Sequence, residues 1–336
     1  MLLNPLQART VLQHAKKNQY AILAVNADSP AAINDCLEAA RSVNAPIMVE
    51  TSLWQLTSHS FGMNDPWLGM KRFMTQLEVM ANDARYANIP VFYHTDHIKG
   101  TQALPLLNDA VRGLEMSMGG SSFKLSPSSI SLDSSELSEI ENINAILELC
   151  RTAQASNRSI TLEMEAGVDD GVTPLEVAER LIAPVEREFP GAIQLWAPGV
   201  GTIHGFSESG FPAFSSDAIQ AHCDFVKNLI GREIGLALHG SSGLPDADLE
   251  RAVQAGVVKV NWSSDSLHLR SHLARDYYSQ FGSQLERTHP KFKTTAMDNG
   301  LQQFISSSYV PKVAARISLL GGSNRAAELM NALMNA

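Results

Sequence analysis

The sequence predicts an α/β fold, a (β/α)8 TIM barrel with extra C-terminal helices. Three observations predict it. Eight apolar, strand-like runs alternate with helical patterns over about 260 residues. Polar residues able to do chemistry gather just past the C-terminal ends of those runs, where barrels of this kind keep their active sites. No GxGxxG follows the first run, which counts against the runner-up, a doubly wound open sheet built to bind a dinucleotide.

The first run is Tyr20 to Val25, followed by helical periodicity from Ala31 to Val43; Ala45 to Glu50 is the second. After a looser segment with Ser, Gly and Trp, Met74 to Ala87 reads as a helix. Ile89 to Asp96 is the third strand, β-branched or aromatic from Ile89 to Tyr93 apart from Pro90, which a strand's first residues tolerate. Gln102 to Leu114 is helical, and Ser121 to Leu125 is a weaker fourth strand. Asn142 to Ala155 is a helix, and Ser159 to Glu165 alternates as the fifth strand. Pro174 to Phe189 is amphipathic, with Thr173 placed to cap it. Ala192 to Ala197, Ile234 to His239 and Val257 to Asn261 are strands six to eight, with helices at Asp217 to Ile230 and Pro245 to Ala255 between them. The tail from Leu267 to Ala336 reads as the last barrel helix plus a helical extension that packs on the barrel or on a partner subunit. With no linker, low-complexity tract or repeat, residues 1–336 read as one domain.

The 336 residues are 44% hydrophobic and 18% charged, the balance of a soluble globular protein with a sizeable core. A net charge of −9 argues against a nucleic-acid partner, which would call for a basic face. Met1 to Lys17 has no apolar run after a basic start, and no stretch approaches the roughly 18 apolar residues of a membrane span. Neither a secretory leader nor a membrane partner is expected. Cys36, Cys150 and Cys223 form no CxxC pair and no disulfide framework, so a reducing cytoplasm and helix-core positions are expected. Seven of the ten histidines (His14, His59, His94, His222, His268, His272, His289) lack a motif of their own and read as surface or packing residues.

Taken in order, the strand ends offer a coherent set. They are Asn26; Glu50 and Ser52; Asp96 and His97; Lys124 and Ser126; Glu163 and Glu165; Gly201-Thr202-Ile203-His204-Gly205; His239-Gly240-Ser241-Ser242-Gly243; and Asn261, Ser264 and Asp265. His97, His204 and His239 can converge on one ion, and three protein ligands with an open position is the pattern of a catalytic Zn²⁺ site. Asp96, beside His97, is a ready acid/base group, and Glu165 is either an oxygen ligand or a partner behind the histidines. Gly201, Gly205, Gly240 and Gly243 let backbone N–H groups approach an anion, while Ser241, Ser242 and Ser264 add hydroxyls. Together they suggest a phosphate cradle at the last two loops.

At these residues the chain resembles the class II, metal-dependent fructose-bisphosphate and tagatose-bisphosphate aldolases. The pieces that carry the resemblance are Ala24-Val25-Asn26, His94-Thr95-Asp96-His97, Leu162-Glu163-Met164-Glu165, Gly201 to Gly205, Leu238 to Gly243 and Lys259-Val260-Asn261. It implies a barrel lyase that cleaves a phosphorylated ketose or a related sugar acid through a zinc-stabilised enediolate. It implies Zn²⁺ on His97, His204 and His239, with a monovalent cation as an optional second ion, and a homodimer or homotetramer. Asp96 would move the proton of the C4 hydroxyl, and Asn261 would hold the enediolate. Asn26, Ser52, Lys124, Gly205, Gly240, Ser242 and Ser264 would surround the substrate and its phosphate.

The departures are specific. The family's fourth strand usually ends in an aspartate followed by Gly-Ser; Ser122 to Ser128 has none, so Ser126, or Lys124 in a shifted alignment, takes that position. Glu208 stands about where a lysine is common near the phosphate. Ala166 replaces a larger aliphatic residue, and Ser263 and Ser264 replace the usual asparagine and threonine. The loop Gly167 to Gly171 looks shorter than the family's and offers Asp169 and Asp170, beside Glu165, in place of the proton-abstracting glutamate. Lys124 and Glu208 together suggest that anion recognition has moved and that the substrate is not the usual ketose bisphosphate; the alternative is that the two compensate other substitutions. Lys124 also leaves Schiff-base chemistry open. Two other functions stay in view, a non-catalytic sugar-phosphate-binding relative and a metal-dependent barrel hydrolase.

Overall fold

The computed structural model describes residues 1–133, 137–167, 169, 171–206 and 214–334. Among the described residues there are ten strands: β1 (Ile22–Asn26), β2 (Ile47–Thr51), β3 (Val91–Ile98), β4 (Leu114–Met118), β5 (Ser121–Leu125), β6 (Ser129–Leu132), β7 (Leu162–Glu165), β8 (Ile193–Ala197), β9 (Gly235–Leu238) and β10 (Val257–Trp262). Eight of them close into a parallel barrel in the order β1-β10-β9-β8-β7-β6-β3-β2, and β4 and β5 form a separate antiparallel pair.

Seven of the eight expected barrel strands lie where the apolar runs lie. The fourth does not. Ser121 to Leu125 is the largely exposed arm of the hairpin β4-β5, and the barrel strand is β6, whose four residues are all buried. The reason is local. Ser121 to Leu125 can pair with Leu114 to Met118 across a two-residue turn, Gly119-Gly120, in which both glycines have positive φ. That pairing uses its backbone bonds outside the barrel. Ser126-Pro127-Ser128 then ends the hairpin, and Ser128 enters the barrel by donating its backbone N–H to Tyr93 O at 2.9 Å.

The outer layer follows from periodicity and capping. Ser29 caps Pro30–Ser42, Asp65 caps Pro66–Ala81, and Ser138 forms a capping box with Glu141 at the start of Glu139–Ala155. Thr173 does not cap Leu175–Glu188 as expected: Pro174 occupies the cap position, and Thr173 Oγ1 instead accepts from Gly199 N at 2.8 Å, tying the loops after β7 and β8 together. The three cysteines sit in helices, Cys36 and Cys150 buried and Cys223 half-buried. No helix among the described residues is long and apolar enough to cross a membrane.

Two further features frame the barrel. Helix Pro5–Lys17 closes its N-terminal mouth, packing Ala8, Val11, Leu12 and Ala15 with Ile22, Ala24, Met48, Phe92, Leu195 and Val258 of the strands. It is held by Leu3 N to Val91 O and Thr161 Oγ1 to Pro5 O, both at the strands' N-terminal ends. At the far end of the chain, Ser264–Phe281 and Asp298–Leu319 pack beside Pro30–Ser42. Buried Arg270 joins them, donating to Asp35 and to Gln302, with Ser306 on the other oxygen of Asp35. Removing one partner of a buried ion pair leaves an uncompensated charge. Arg270→Ala is therefore expected to lower unfolding stability by about 3–5 kcal/mol, read from urea denaturation; a loss below about 1 kcal/mol, the value of an exposed pair, would contradict this role.

Candidate active site

Alternation along the strands turns a ladder of polar side chains into the barrel. Its lower layer is Glu50, His94, Glu163 and Lys259, all without solvent exposure. Lys259 Nζ lies 2.9 Å from Glu163 Oε2, 3.1 Å from His94 Nε2 and 3.5 Å from Glu50 Oε2. Burial alone would pull the lysine's pKa down, but ionised Glu163, at hydrogen-bond distance, outweighs it and holds it above the ordinary value. Burial and then Lys259 push His94 down to about 3, so it is neutral. Glu50 is raised well above the carboxylate range, chiefly by burial and then by Asp96. Glu163 resists burial through Lys259 and His239 and stays ionised.

The upper layer carries the candidate chemistry. His97 lies one residue before the end of β3 with a positive φ of 49°, His239 follows β9 and His204 lies in the loop after β8. Their rings stand 4.6–5.8 Å apart, centroid to centroid. One nitrogen from each lies within 4.8 Å of the others. His97 Nε2 faces His239 Nδ1 at 2.9 Å. Behind each ring stands a carboxylate. His239 Nε2 meets Glu163 Oε1 at 2.7 Å, His204 Nδ1 meets Asp169 Oδ2 at 3.0 Å, and His97 Nδ1 lies 3.6 Å from both Asp133 Oδ2 and Glu165 Oε2. Such partners fix ring orientation and raise ligand basicity. Burial pushes His239 down to about 4, which keeps it neutral as a metal ligand must be. The donor set fits a divalent metal ion.

Asp96 sits against this group. Asn261 Nδ2 donates to its Oδ1 at 2.8 Å and Asn26 Nδ2 to its Oδ2 at 3.0 Å. Burial would raise its pKa, but His97 and Lys259 outweigh burial and hold it well below the usual range. Burial raises the pKa of Glu165 beside it, and Ser131 donates to its Oε1. The two carboxyl groups of this pocket are thus pushed in opposite directions.

The remaining expectations divide. Gly240 has a φ of 64° and a Cβ there would stand 2.4 Å from Ile203 O, so only glycine lets the loops after β8 and β9 meet; Gly205 has a φ of 79°. Ser242 Oγ accepts from Asp265 N at 3.1 Å and Asp265 Oδ2 accepts from Gly243 N at 2.8 Å, which brings Ser264 beside the Gly240 loop. Ser52 caps the short helix Leu53–Thr57 and lines a cleft of about 670 Å³ with His97, Glu165, Asp169 and His204. Asp170 and Glu208 lie outside the described residues. Lys124 is a correction: it is exposed on β5, paired in register with Glu115, and does not line the cleft. Ser126 is another, for it accepts from Arg158 at 2.9 Å away from the site. The residue just past the true fourth strand is Asp133, which lies beside His97, so an aspartate does stand at that strand end. Its signal in the sequence is the Ser126-Pro127-Ser128 turn, followed by a short run and Asp-Ser-Ser. The charge change attributed to Lys124, and with it the Schiff-base option, has no structural basis.

Fold and site together define a β/α barrel with a histidine and carboxylate centre at the C-terminal ends of its strands. The sequence pattern of the fructose-bisphosphate aldolase class-II family matches residues 6–325. The chain belongs to that family of lyases, whose members use a divalent metal. It is 26% identical to the fructose-bisphosphate aldolase of Mycoplasma pneumoniae over 277 residues, 80% of this chain and 83% of that one. It is 24% identical to that of Streptococcus pyogenes serotype M3 over 273 residues, 80% and 82% of the two chains. The crystal structure of the Campylobacter jejuni fructose-bisphosphate aldolase shares the fold with a TM-score of 0.78, at 21% identity and 96% coverage of both chains. The YdjI aldolase of Escherichia coli K12 shares it with a TM-score of 0.69, at 19% identity, over 97% of this chain and all of that one.

Two outcomes are expected. Asp133→Ala should weaken divalent-metal affinity by about 10- to 100-fold, the usual effect of losing a partner behind a ligand, whereas Lys124→Ala should leave it unchanged; competition against a chromogenic chelator measures both. His94 and His222 are both buried and neutral, with pKa lowered from 6.5, His94 to about 3. Both imidazoles should therefore stay unprotonated in the folded protein as pH falls from 7 to 5, read from their side-chain NMR signals; protonation of either near the ordinary value of 6.5 would contradict the burial argument.

Proposed function

We propose that this protein is a zinc-dependent aldolase that cleaves a carbon–carbon bond of a phosphorylated ketose. One observation carries the reading: three imidazoles converge beside a buried aspartate clamped by two amides. His97 Nε2, His239 Nδ1 and, with its Nδ1 engaged by Asp169, His204 Nε2 are the atoms that would hold the ion. Three imidazoles with an open position suit Zn²⁺. When bound there, the ion supplies Lewis acidity to the substrate's ketone and neighbouring hydroxyl oxygens, so no Schiff-base lysine is required.

The chain's own groups supply the rest. As the C3–C4 bond breaks, its electron pair moves toward C2 and its oxygen, and C4 becomes an aldehyde carbon by giving its hydroxyl proton to Asp96. Asp96 suits this because it is held ionised, and each of its oxygens accepts only one amide N–H, leaving a lone pair for the proton. The two clamping amides spend their N–H groups on Asp96, while Asn26 Oδ1 and Asn261 Oδ1 are buried without a protein partner. Both oxygens are thus left to accept substrate hydroxyls, Asn261 on the enediolate half. Asp169 lines the cleft and orients His204, and would serve as the loop acid that exchanges the proton of the enediolate carbon, with Glu165, whose pKa burial raises, as a second proton source. Gly205, Gly240, Ser242 and Ser264, at the N-terminal end of Ser264–Phe281, would take the phosphate through backbone N–H and hydroxyl groups.

The purified protein is expected to carry about one zinc per chain by mass spectrometry, to lose cleavage on chelation and to regain it with zinc. His204→Ala should lose the metal. Asp96→Asn should keep the metal but lose about 10²- to 10⁴-fold in kcat, the usual contribution of a positioned base. Cleavage that survives both chelation and His204→Ala would overturn the reading. Binding without proton exchange at the carbon next to the ketone would favour a non-catalytic relative.

A further inference from the structure

Aldol cleavage at the histidines leaves the second half of the ketose undefined, and any assignment of that half rests on the protein being such an aldolase. The three histidines divide the C-terminal end of the barrel. On one side β9 and β10 carry the Gly240 loop and Ser264. On the other, over β2, β3, β6 and β7, opens the 670 Å³ cleft. A ketose with its carbonyl at the histidines spans both, with one terminus in the Gly/Ser loops and the remainder in the cleft.

The cleft has two properties. The first is an aromatic lip. Leu53, Trp54 and Thr57 line it from the short helix after β2, and Trp54 is 79% exposed. The helix is fixed by a capping box, in which Ser52 Oγ accepts from Trp54 N at 3.2 Å and Gln55 reaches back to Ser52 N at 2.8 Å. An indole held in water at the edge of this cleft presents a rigid apolar face, suited to the C–H face of a sugar chain. The second is its charge. Among the described residues lining the cleft, Lys99 is the only lysine or arginine, and its Nζ already lies 3.8 Å from Asp133. Asp133, Glu165 and Asp169 line the same cleft. A second phosphate on this side would face more carboxylates than cations, which disfavours it.

We propose that the substrate is a ketose monophosphate whose single phosphate sits in the Gly/Ser loops, and that the unphosphorylated half, released as the aldehyde, stacks on Trp54. The test runs the zinc-loaded, full-length protein in the condensation direction, with dihydroxyacetone phosphate as donor. Unphosphorylated aldoses of three and four carbons are compared with glyceraldehyde 3-phosphate. The unphosphorylated aldehydes should give a kcat/KM at least 10-fold higher. An equal or higher value for glyceraldehyde 3-phosphate, or no condensation with the unphosphorylated aldehydes, overturns the proposal. Proton exchange into dihydroxyacetone phosphate alone separates this failure from failure of the aldolase reading: exchange present condemns only the monophosphate assignment, exchange absent condemns both. Trp54→Ala should raise the aldehyde KM about 10-fold with kcat within about 3-fold and zinc content retained, and Trp54→Phe should recover most of the loss. An unchanged KM in Trp54→Ala would refute the stacking. Trp196 and Trp262 are buried and Trp67 is half-buried and bonded to Asp109, so aldehyde-induced fluorescence quenching should disappear in Trp54→Phe.

Discussion

One ammonium group, Lys259 Nζ, organises the interior of this barrel. It is excluded from solvent and surrounded by Glu163, Glu50 and His94. A lone cation in that position would cost many kcal/mol in desolvation, so its partners are obligatory. The consequences run upward. Lys259 keeps Glu163 ionised; ionised Glu163 orients His239; and His239 faces His97. Lys259 also helps keep Asp96 ionised from below, while Asn26 and Asn261 hold it from the sides. A residue two positions before the catalytic asparagine of the proposed mechanism thus biases the charge state of groups on two other strands, β3 and β7.

Most of the barrel is legible in the sequence because parallel strands buried on both faces read as continuous apolar runs. Tyr20 to Val25 and Ala192 to Ala197 are such runs, and both contain barrel strands. The fourth strand is illegible for the same reason in reverse. β6 is Ser-Ile-Ser-Leu, with two serines turned to the polar interior, one bonded to His94 and the other to Glu165. A strand that serves a charged core looks like a loop, while Ser121 to Leu125, alternating and exposed, looks like a strand. The confusion moves one site position from Asp133 to Lys124 and creates an apparent change of charge.

The site itself is legible in part. Strand ends announce ligands because they pair a polar residue with an apolar run, as His97 and His239 do. Their supporting partners announce themselves poorly. His94 has no motif of its own beyond its neighbours, yet it is fully buried beneath the site, and Glu50 closes an ordinary apolar run. Thr173 has the look of a local cap, but its hydroxyl bonds across to Gly199, a partner that becomes a neighbour only when the barrel closes. Periodicity reports what a residue does within its own element; bonds between distant loops leave no local trace.

The helix that stops the N-terminal mouth has a consequence for the whole interior. With Ala8, Val11, Leu12 and Ala15 of Pro5–Lys17 packed against the strands there, the Lys259 layer has an apolar floor beneath it and the histidines above it. Glu50, His94, Glu163 and Lys259 have no solvent exposure, so a charge in that layer is answered by its neighbours and not by water, and a change in any one of them has to be compensated inside the barrel.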